Sequence, residues 1–248
     1  MMFQLIYIIF LLLFLCLIYP LFYYKKINDT IKLDTIKLSC SINPENTIIK
    51  GDGFFIINNI LTEKCRQSLQ DLFLEECKKN KNLNEEHELS IYTDSNFLLE
   101  LSNIIKEKLY PVNSLDLQRC WLRYYFEGMK AQYYENYHYD VSRYNSNIKQ
   151  YRLIIHIYDT SDAIFSIYNY GKITTLENMG ILIEANKCYH KINITKGERL
   201  VLIMDFTTQN CDSLYNHYKC RGISSYYNWI YDSIWRKVSS FFYKIANL

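Results

Sequence analysis

Residues 180–206 read GILIEANKCYHKINITKGERLVLIMDF. Two apolar runs, Gly180–Glu184 and Leu200–Phe206, are short and rich in Ile, Leu and Val, which is the texture of buried strands. Between them Gly197 permits a turn, so the strand near His190 is expected to lie beside the strand that carries Arg199. The residues upstream repeat this texture. Trp121–Phe126, Arg152–Tyr158 and Ile164–Tyr168 are further short apolar runs, several of them separated by turn residues, as in an antiparallel sandwich or barrel. Phe54–Ile60 reads as one more strand. A helix is predicted after the N-cap candidate Thr62, with Leu69, Leu72, Phe73 and Cys77 at helical spacing. A second helix is predicted over 96–109, with Leu98, Leu101, Ile104, Ile105 and Leu109 on one face.

The flanks differ from this body. Residues 3–24, FQLIYIIFLLLFLCLIYPLFYY, contain no charge and at about 1.5 Å per residue would span roughly 30 Å of hydrocarbon. No basic residue precedes the run and no small-residue cleavage site follows, which favours an uncleaved anchor over a signal peptide. The expected organisation is a transmembrane anchor (1–25), a polar linker (26–50), a folded domain (51–210) and an amphipathic helical extension (211–248). That extension carries Tyr227, Ile230, Tyr231, Ile234, Val238, Phe241, Phe242 and Ile245 on one stripe. Lys25, Lys26, Lys32 and Lys37 follow the span and would keep the body cytosolic by the positive-inside rule. The sequons at Asn28 and Asn193 point the other way, so the side of the membrane stays open, with the endoplasmic reticulum membrane one location. Eight cysteines, one of them in the span, form no standard zinc spacing. They could be reduced thiols or partial disulfides. A net charge of +2 over 248 residues speaks against a nucleic-acid partner.

The chain has only five histidines. His138-Tyr139-Asp140 forms H-x-D, whose first and third side chains leave an extended backbone on the same side and can meet one ion. His190 is the candidate third ligand. Two His and one carboxylate on one face of an octahedron is the ligand set of non-haem Fe(II) oxygenases, with the opposite positions open. Arg199, nine residues on, offers a guanidinium able to grip a carboxylate bidentately. His156 reads as a core residue, and Cys188 as a buried thiol. His217, between Cys211 and Cys220, is a remote zinc candidate.

Taken with these residues, the chain resembles the Fe(II)/2-oxoglutarate-dependent dioxygenases, nearest the prolyl 4-hydroxylase-like branch. The resemblance covers about residues 53–208. It is carried by Phe54–Cys65 (FFIINNILTEKC), Tyr124-Tyr125-Phe126-Glu127-Gly128 ahead of the H-x-D, Ile155-His156-Ile157-Tyr158, and Gly180-Ile181-Leu182-Ile183 followed by His190, Gly197 and Arg199. It implies a mainly β fold with flanking helices, a double-stranded β-helix or jelly roll preceded by the transmembrane helix. It implies His138, Asp140 and His190 as iron ligands and Arg199 for 2-oxoglutarate. Tyr125 and Tyr158 become candidates for the cosubstrate pocket, and ascorbate an accessory. The implied reaction is hydroxylation of a C–H bond, foremost in a peptidyl proline, on a protein or peptide partner. Lysine, small-molecule, lipid and alkylated-base substrates are alternatives, as is a non-catalytic membrane-tethered jelly roll that binds a partner. Asp159-Thr160 stands where the branch has Leu-Asn, and its Gly-Gly-Glu-type turn is replaced by Ser161-Asp162-Ala163-Ile164.

Overall fold

The computed structural model describes residues 7–8, 36–38, 40–79, 91–93, 95–112, 120–125, 136–140, 147–194 and 196–211. In chain order the strands are β1 (Ile36–Leu38), β2 (Thr47–Gly51), β3 (Phe54–Asn58), β4 (Ile91–Thr93), β5 (Tyr110–Pro111), β6 (Cys120–Tyr125), β7 (Gln150–Asp159), β8 (Ile164–Ile167), β9 (Gly171–Thr174), β10 (Gly180–Glu184), β11 (His190–Asn193) and β12 (Arg199–Thr207). Helices α1 (Glu63–Lys79) and α2 (Ser95–Ile105) lie between β3 and β5. The fold is mainly β with flanking helices, consistent with a jelly roll.

The larger, seven-stranded sheet runs β2-β3-β10-β7-β12-β5, with β6 sharing the outer edge of β12. The smaller runs β11-β8-β9. All pairings in both are antiparallel. One face of the larger sheet packs on the helices: Phe55, Ile57, Leu153, Ile155, Leu182, Leu202, Met204 and Phe206 meet Leu69 and Phe73 of α1 and Phe97, Leu101 and Ile105 of α2. Its other face packs on the smaller sheet, where Phe54, Ile56, Ile181 and Ile183 meet Phe165, Ile167 and Ile192. A sheet covered on both faces has no polar side to show, so β12 is buried along its whole length and its stretch Leu200–Met204 reads as an unbroken apolar run.

Three expectations are corrected. The 26–50 stretch is not linker throughout. Cys40 forms a disulfide with Cys65 of α1, Ile42 bridges to Leu61, and β2 pairs with β3 along the sheet edge. The strand that carries His190 does not lie beside that of Arg199: β11 pairs with β8, so the two residues belong to opposing sheets. Tyr158 does not enter the space between the sheets. The pairing of β7 with β12 slips between Leu200 and Val201, which leaves Ile157 unmatched. Such an extra residue resets the inward/outward alternation, and Tyr158 packs on the helix-side core with Leu72 and Leu98.

Among the described residues no helix is long and apolar enough to cross a membrane. Apart from Tyr7 and Ile8, the apolar stretch 3–24 lies outside those residues, as do the extension beyond 211, Asn28, His87 and His217. Cys211 is itself disulfide-bonded.

Candidate metal and anion site

His138 and His190 face each other through the backbone. Each donates its N–H to the other's carbonyl, at 2.8 and 3.0 Å, and their ring centroids lie 4.5 Å apart. Asp140, two residues on from His138, places a carboxylate oxygen 4.0 Å from His138 Nε2. One ligand atom from each of His138, Asp140 and His190 can be chosen so that all lie within 4.8 Å of one another, a spacing able to hold one metal ion.

The hydrogen bonds of the two rings fix their tautomers. His138 Nδ1 donates to the Asn136 carbonyl at 2.9 Å, and His190 Nδ1 donates to the Cys188 carbonyl at 3.0 Å. A carbonyl can only accept, so each Nδ1 carries a proton, and in the neutral ring Nε2 is the nitrogen with the lone pair a metal needs. Burial pushes the His190 imidazole below its ordinary pKa, and the neighbouring His138 and Arg152 act in the same direction; Asp140 and the Cys188 carbonyl oppose them. The neutral ring is the ligating form. Phe165 stacks on His190 with centroids 5.1 Å apart and keeps water from its inner side. Cys188 contributes its carbonyl alone. Its thiol is buried in the apolar core, and that burial, with the charge of Asp140, pushes its pKa up to about 12.

Arg152 on β7 was not picked out from the sequence. Its Nη1 lies 3.3 Å from Asp140 Oδ2, and its Nε and Nη2 donate to the two Asp205 oxygens at 2.8 and 3.0 Å. A guanidinium clamped in this way on Asp205 of β12 holds one oxygen of Asp140 and leaves the other for the ion.

Arg199 opens β12 on the same inward face as Val201 and Ile203. Its guanidinium carbon lies 4.1 Å from the centroid of the Tyr125 ring, so the structure brings these two candidates together. The side chain is 3% exposed, and among the described residues Nε and Nη1 find no hydrogen-bond partner. Burial works against its charge, whereas Tyr125 and Asp159 favour it; a guanidinium nonetheless stays protonated. A buried cation with two unpaired N–H groups is costly, and a carboxylate that accepts both would relieve the cost.

His156 and Asp159 make up the rest of this inner wall. His156 Nδ1 donates to Asp159 Oδ2 at 2.7 Å. The same carboxylate accepts from Thr175 Oγ1 at 2.7 Å, Ser161 N at 3.0 Å and Ser161 Oγ at 2.5 Å. Burial disfavours the Asp159 charge, but these donors, His156 first, outweigh it and hold the carboxyl down at about 2. The sequence signal was present in the replacement of Leu-Asn by Asp159-Thr160; the bulge at Ile157 hid the spatial pairing of residues 156 and 159. The turn before Arg199 abuts this wall. Gly197 has φ +78°, and a Cβ there would come within 2.5 Å of the Thr160 carbonyl oxygen and 2.7 Å of Ser161 Cα.

No protein-family model matches the chain, and no curated protein does. Solved structures similar to it include three that follow. One is a viral collagen prolyl hydroxylase from Paramecium bursaria Chlorella virus-1 (14% identity, 64% of this chain and 91% of that one, TM-score 0.44). Another is a prolyl-4-hydroxylase from Pseudomonas putida (8%, 64% and 89%, TM-score 0.43). The third is HygX from Streptomyces hygroscopicus, solved with nickel and 2-oxoglutarate bound (9%, 62% and 82%, TM-score 0.41). What the site can do follows from its own side chains.

Proposed function

We propose that the chain is an Fe(II)/2-oxoglutarate-dependent dioxygenase that hydroxylates a C–H bond, foremost in a peptidyl proline, from a membrane-tethered position. The observation that carries this reading is the pairing of a two-His, one-carboxylate cluster with a buried Arg199 whose Nε and Nη1 want an anion. The residues fit both groups. Imidazoles and a carboxylate on one side of an ion suit Fe(II), and a buried guanidinium with Nε and Nη1 open suits the far carboxylate of a 2-oxo dicarboxylate.

When bound, Fe(II) with 2-oxoglutarate supplies the oxidising chemistry: O2 is consumed, the cosubstrate leaves as succinate and CO2, and one oxygen atom enters the substrate C–H bond. The chain's own work is positional. His138 and His190 present Nε2, and Arg152 aims Asp140. Arg199, with Tyr125 beneath it, anchors the cosubstrate. Ile154, Val201 and Ile203 pack with Tyr125 and keep the wall beside it dry.

A peptide substrate is favoured by the surface beside the ligands. Tyr137, Tyr139, Tyr168 and Tyr189 form a linked aromatic cluster around the two metal-binding segments, and Tyr139 and Tyr168 are exposed. Extended, proline-rich segments dock on surfaces of this kind. The apolar stretch 3–24 supports the tether. The Cys40–Cys65 disulfide supports a domain on the oxidising side, as in the lumen of the endoplasmic reticulum, against the lysines that follow the stretch. Carbonate extraction and protease protection of the expressed chain check both.

The activity is tested by succinate release from 2-oxoglutarate with Fe(II), over a panel of proline- and lysine-containing peptides, with His190→Ala and Arg199→Met as controls. Release that is stimulated by a proline peptide and lost in both variants is the expected result. Equal release from the wild type and His190→Ala, or none from any protein, refutes the assignment.

A further inference from the structure

His156 is fully buried, and its Nε2 meets no hydrogen-bond partner among the described residues. Arg199, whose Nε and Nη1 are likewise without a partner among the described residues, stands on the neighbouring strand. The strand register places Val201 opposite His156 and Arg199 opposite Asp159, and the Arg199 charge is felt at the imidazole. The state of the ring follows from its other nitrogen. Asp159 is ionised and can only accept, so Nδ1 carries a proton. In the neutral ring Nε2 is then a bare lone pair. Burial holds the ring neutral, and Arg199 acts in the same direction, against the pull of Asp159.

This arrangement is mismatched to an incoming carboxylate. An anion that accepts from Arg199 would bring its oxygens against a lone pair at His156, and two acceptors repel. A single proton on Nε2 removes this repulsion, because the lone pair becomes a donor. We propose that one carboxylate of the cosubstrate is held by Arg199 and His156 together, and that His156 takes up one proton from solvent as it binds. Asp159 is the positioning residue that keeps the ring turned and its Nδ1 protonated. The titratable and charged groups around His156 are Asp159 on its own strand, Arg199 on β12, and Tyr125 and Arg123 on β6. Thr175, from the segment before β10, is neutral. No bond is made or broken beyond the N–H. The proposal rests on the 2-oxoglutarate reading above.

The test is calorimetry of 2-oxoglutarate binding to the full chain loaded with redox-inert Mn(II), near neutral pH, in buffers of different ionisation heat. Both carboxylates of the ligand are already ionised there, so its own titration does not contribute. The expected result for the wild type is uptake of close to one proton. Between the free and liganded pKa of His156, the apparent Kd rises about tenfold per pH unit. In His156→Asn the uptake falls to near zero and the pH dependence flattens, an outcome that a purely structural role for the ring would not produce. The wild-type measurement decides even where the variant folds poorly. Arg199-dependent binding with no proton uptake and a flat pH profile overturns the proposal and leaves the 2-oxoglutarate reading standing. No binding by the wild type, or binding that Arg199→Met leaves unchanged, overturns both.

Discussion

Replacing Asp159 with Asn removes one charge from a carboxylate that accepts hydrogen bonds from His156, Thr175 and both donors of Ser161. The side chain is 1% exposed, so the effect is not diluted by solvent screening. The folded protein holds this carboxyl at about 2, against an ordinary value of 3.8. At about 1.4 kcal/mol per pH unit that difference amounts to about 2 kcal/mol of folding stability. The sign is that of a depressed acid: the contribution is complete above the ordinary carboxylate pKa and is lost as the pH falls from about 4 towards 2. Asn mimics the protonated form and lacks the contribution at every pH. Thermal unfolding of the wild type and Asp159→Asn, followed by circular dichroism at pH 7, should differ by about 4–8 °C for a chain of this size. The same pair at pH 2.5 should differ far less. A deficit of equal size at both pH values would mean that Asn fails on shape rather than on charge. No deficit at pH 7 would refute the network outright.

Three further outcomes are expected. Arg152→Met frees the Asp140 carboxylate from its orienting partner and leaves Asp205 buried without its cation; metal affinity, titrated with Co(II) by its d–d absorption, should fall about 10–100-fold. Cys188 is 1% exposed, so peptide mapping after iodoacetamide treatment should find it unmodified in the native protein and modified once the chain is unfolded in urea. The Cys40–Cys65 disulfide closes a sequence separation of 25 residues. The double Cys40→Ala, Cys65→Ala variant should be less stable by about 3 kcal/mol in denaturant titrations, on the loop-entropy account.

How much of this was legible in the chain depended on whether the signal was local. β10 was read to the residue, and β7 and β12 within two residues at either end, because apolar runs bounded by turns mark strands buried on both faces. β2 was missed. It is an edge strand whose Ile48 and Ile49 are exposed, and it lies in a polar segment that offers no alternation to read. The candidate metal cluster was legible as residues, since H-x-D needs only an extended backbone and His190 was one of few histidines. Its surroundings were not. That β11 would pair with β8 rather than lie beside β12 is a matter of topology, which a turn glycine does not encode. Tyr158 was a pocket candidate through the resemblance of Ile155–Tyr158 to a core strand that ends in Tyr. One unmatched residue, Ile157, inverts the inward/outward alternation beyond it, so that Asp159 rather than Tyr158 faces inward. Arg152 and Asp205 are far apart in sequence and belong together only once β7 and β12 are in register.

Gly197 has no chemistry of its own, yet a screen for inactivating substitutions would recover it beside the metal ligands. Its missing Cβ lets the turn that leads into Arg199 lie flat against Thr160 and Ser161, which lead out of Asp159. A single methyl would wedge these turns apart and shift Arg199 and the His156–Asp159 wall together, while the His138–Asp140–His190 cluster, at the opposing sheet, kept its place. The signature of such an allele would be a protein that still takes up metal and has lost its grip on the cosubstrate. A position scored as catalytic from its phenotype alone would in fact be a hinge pin.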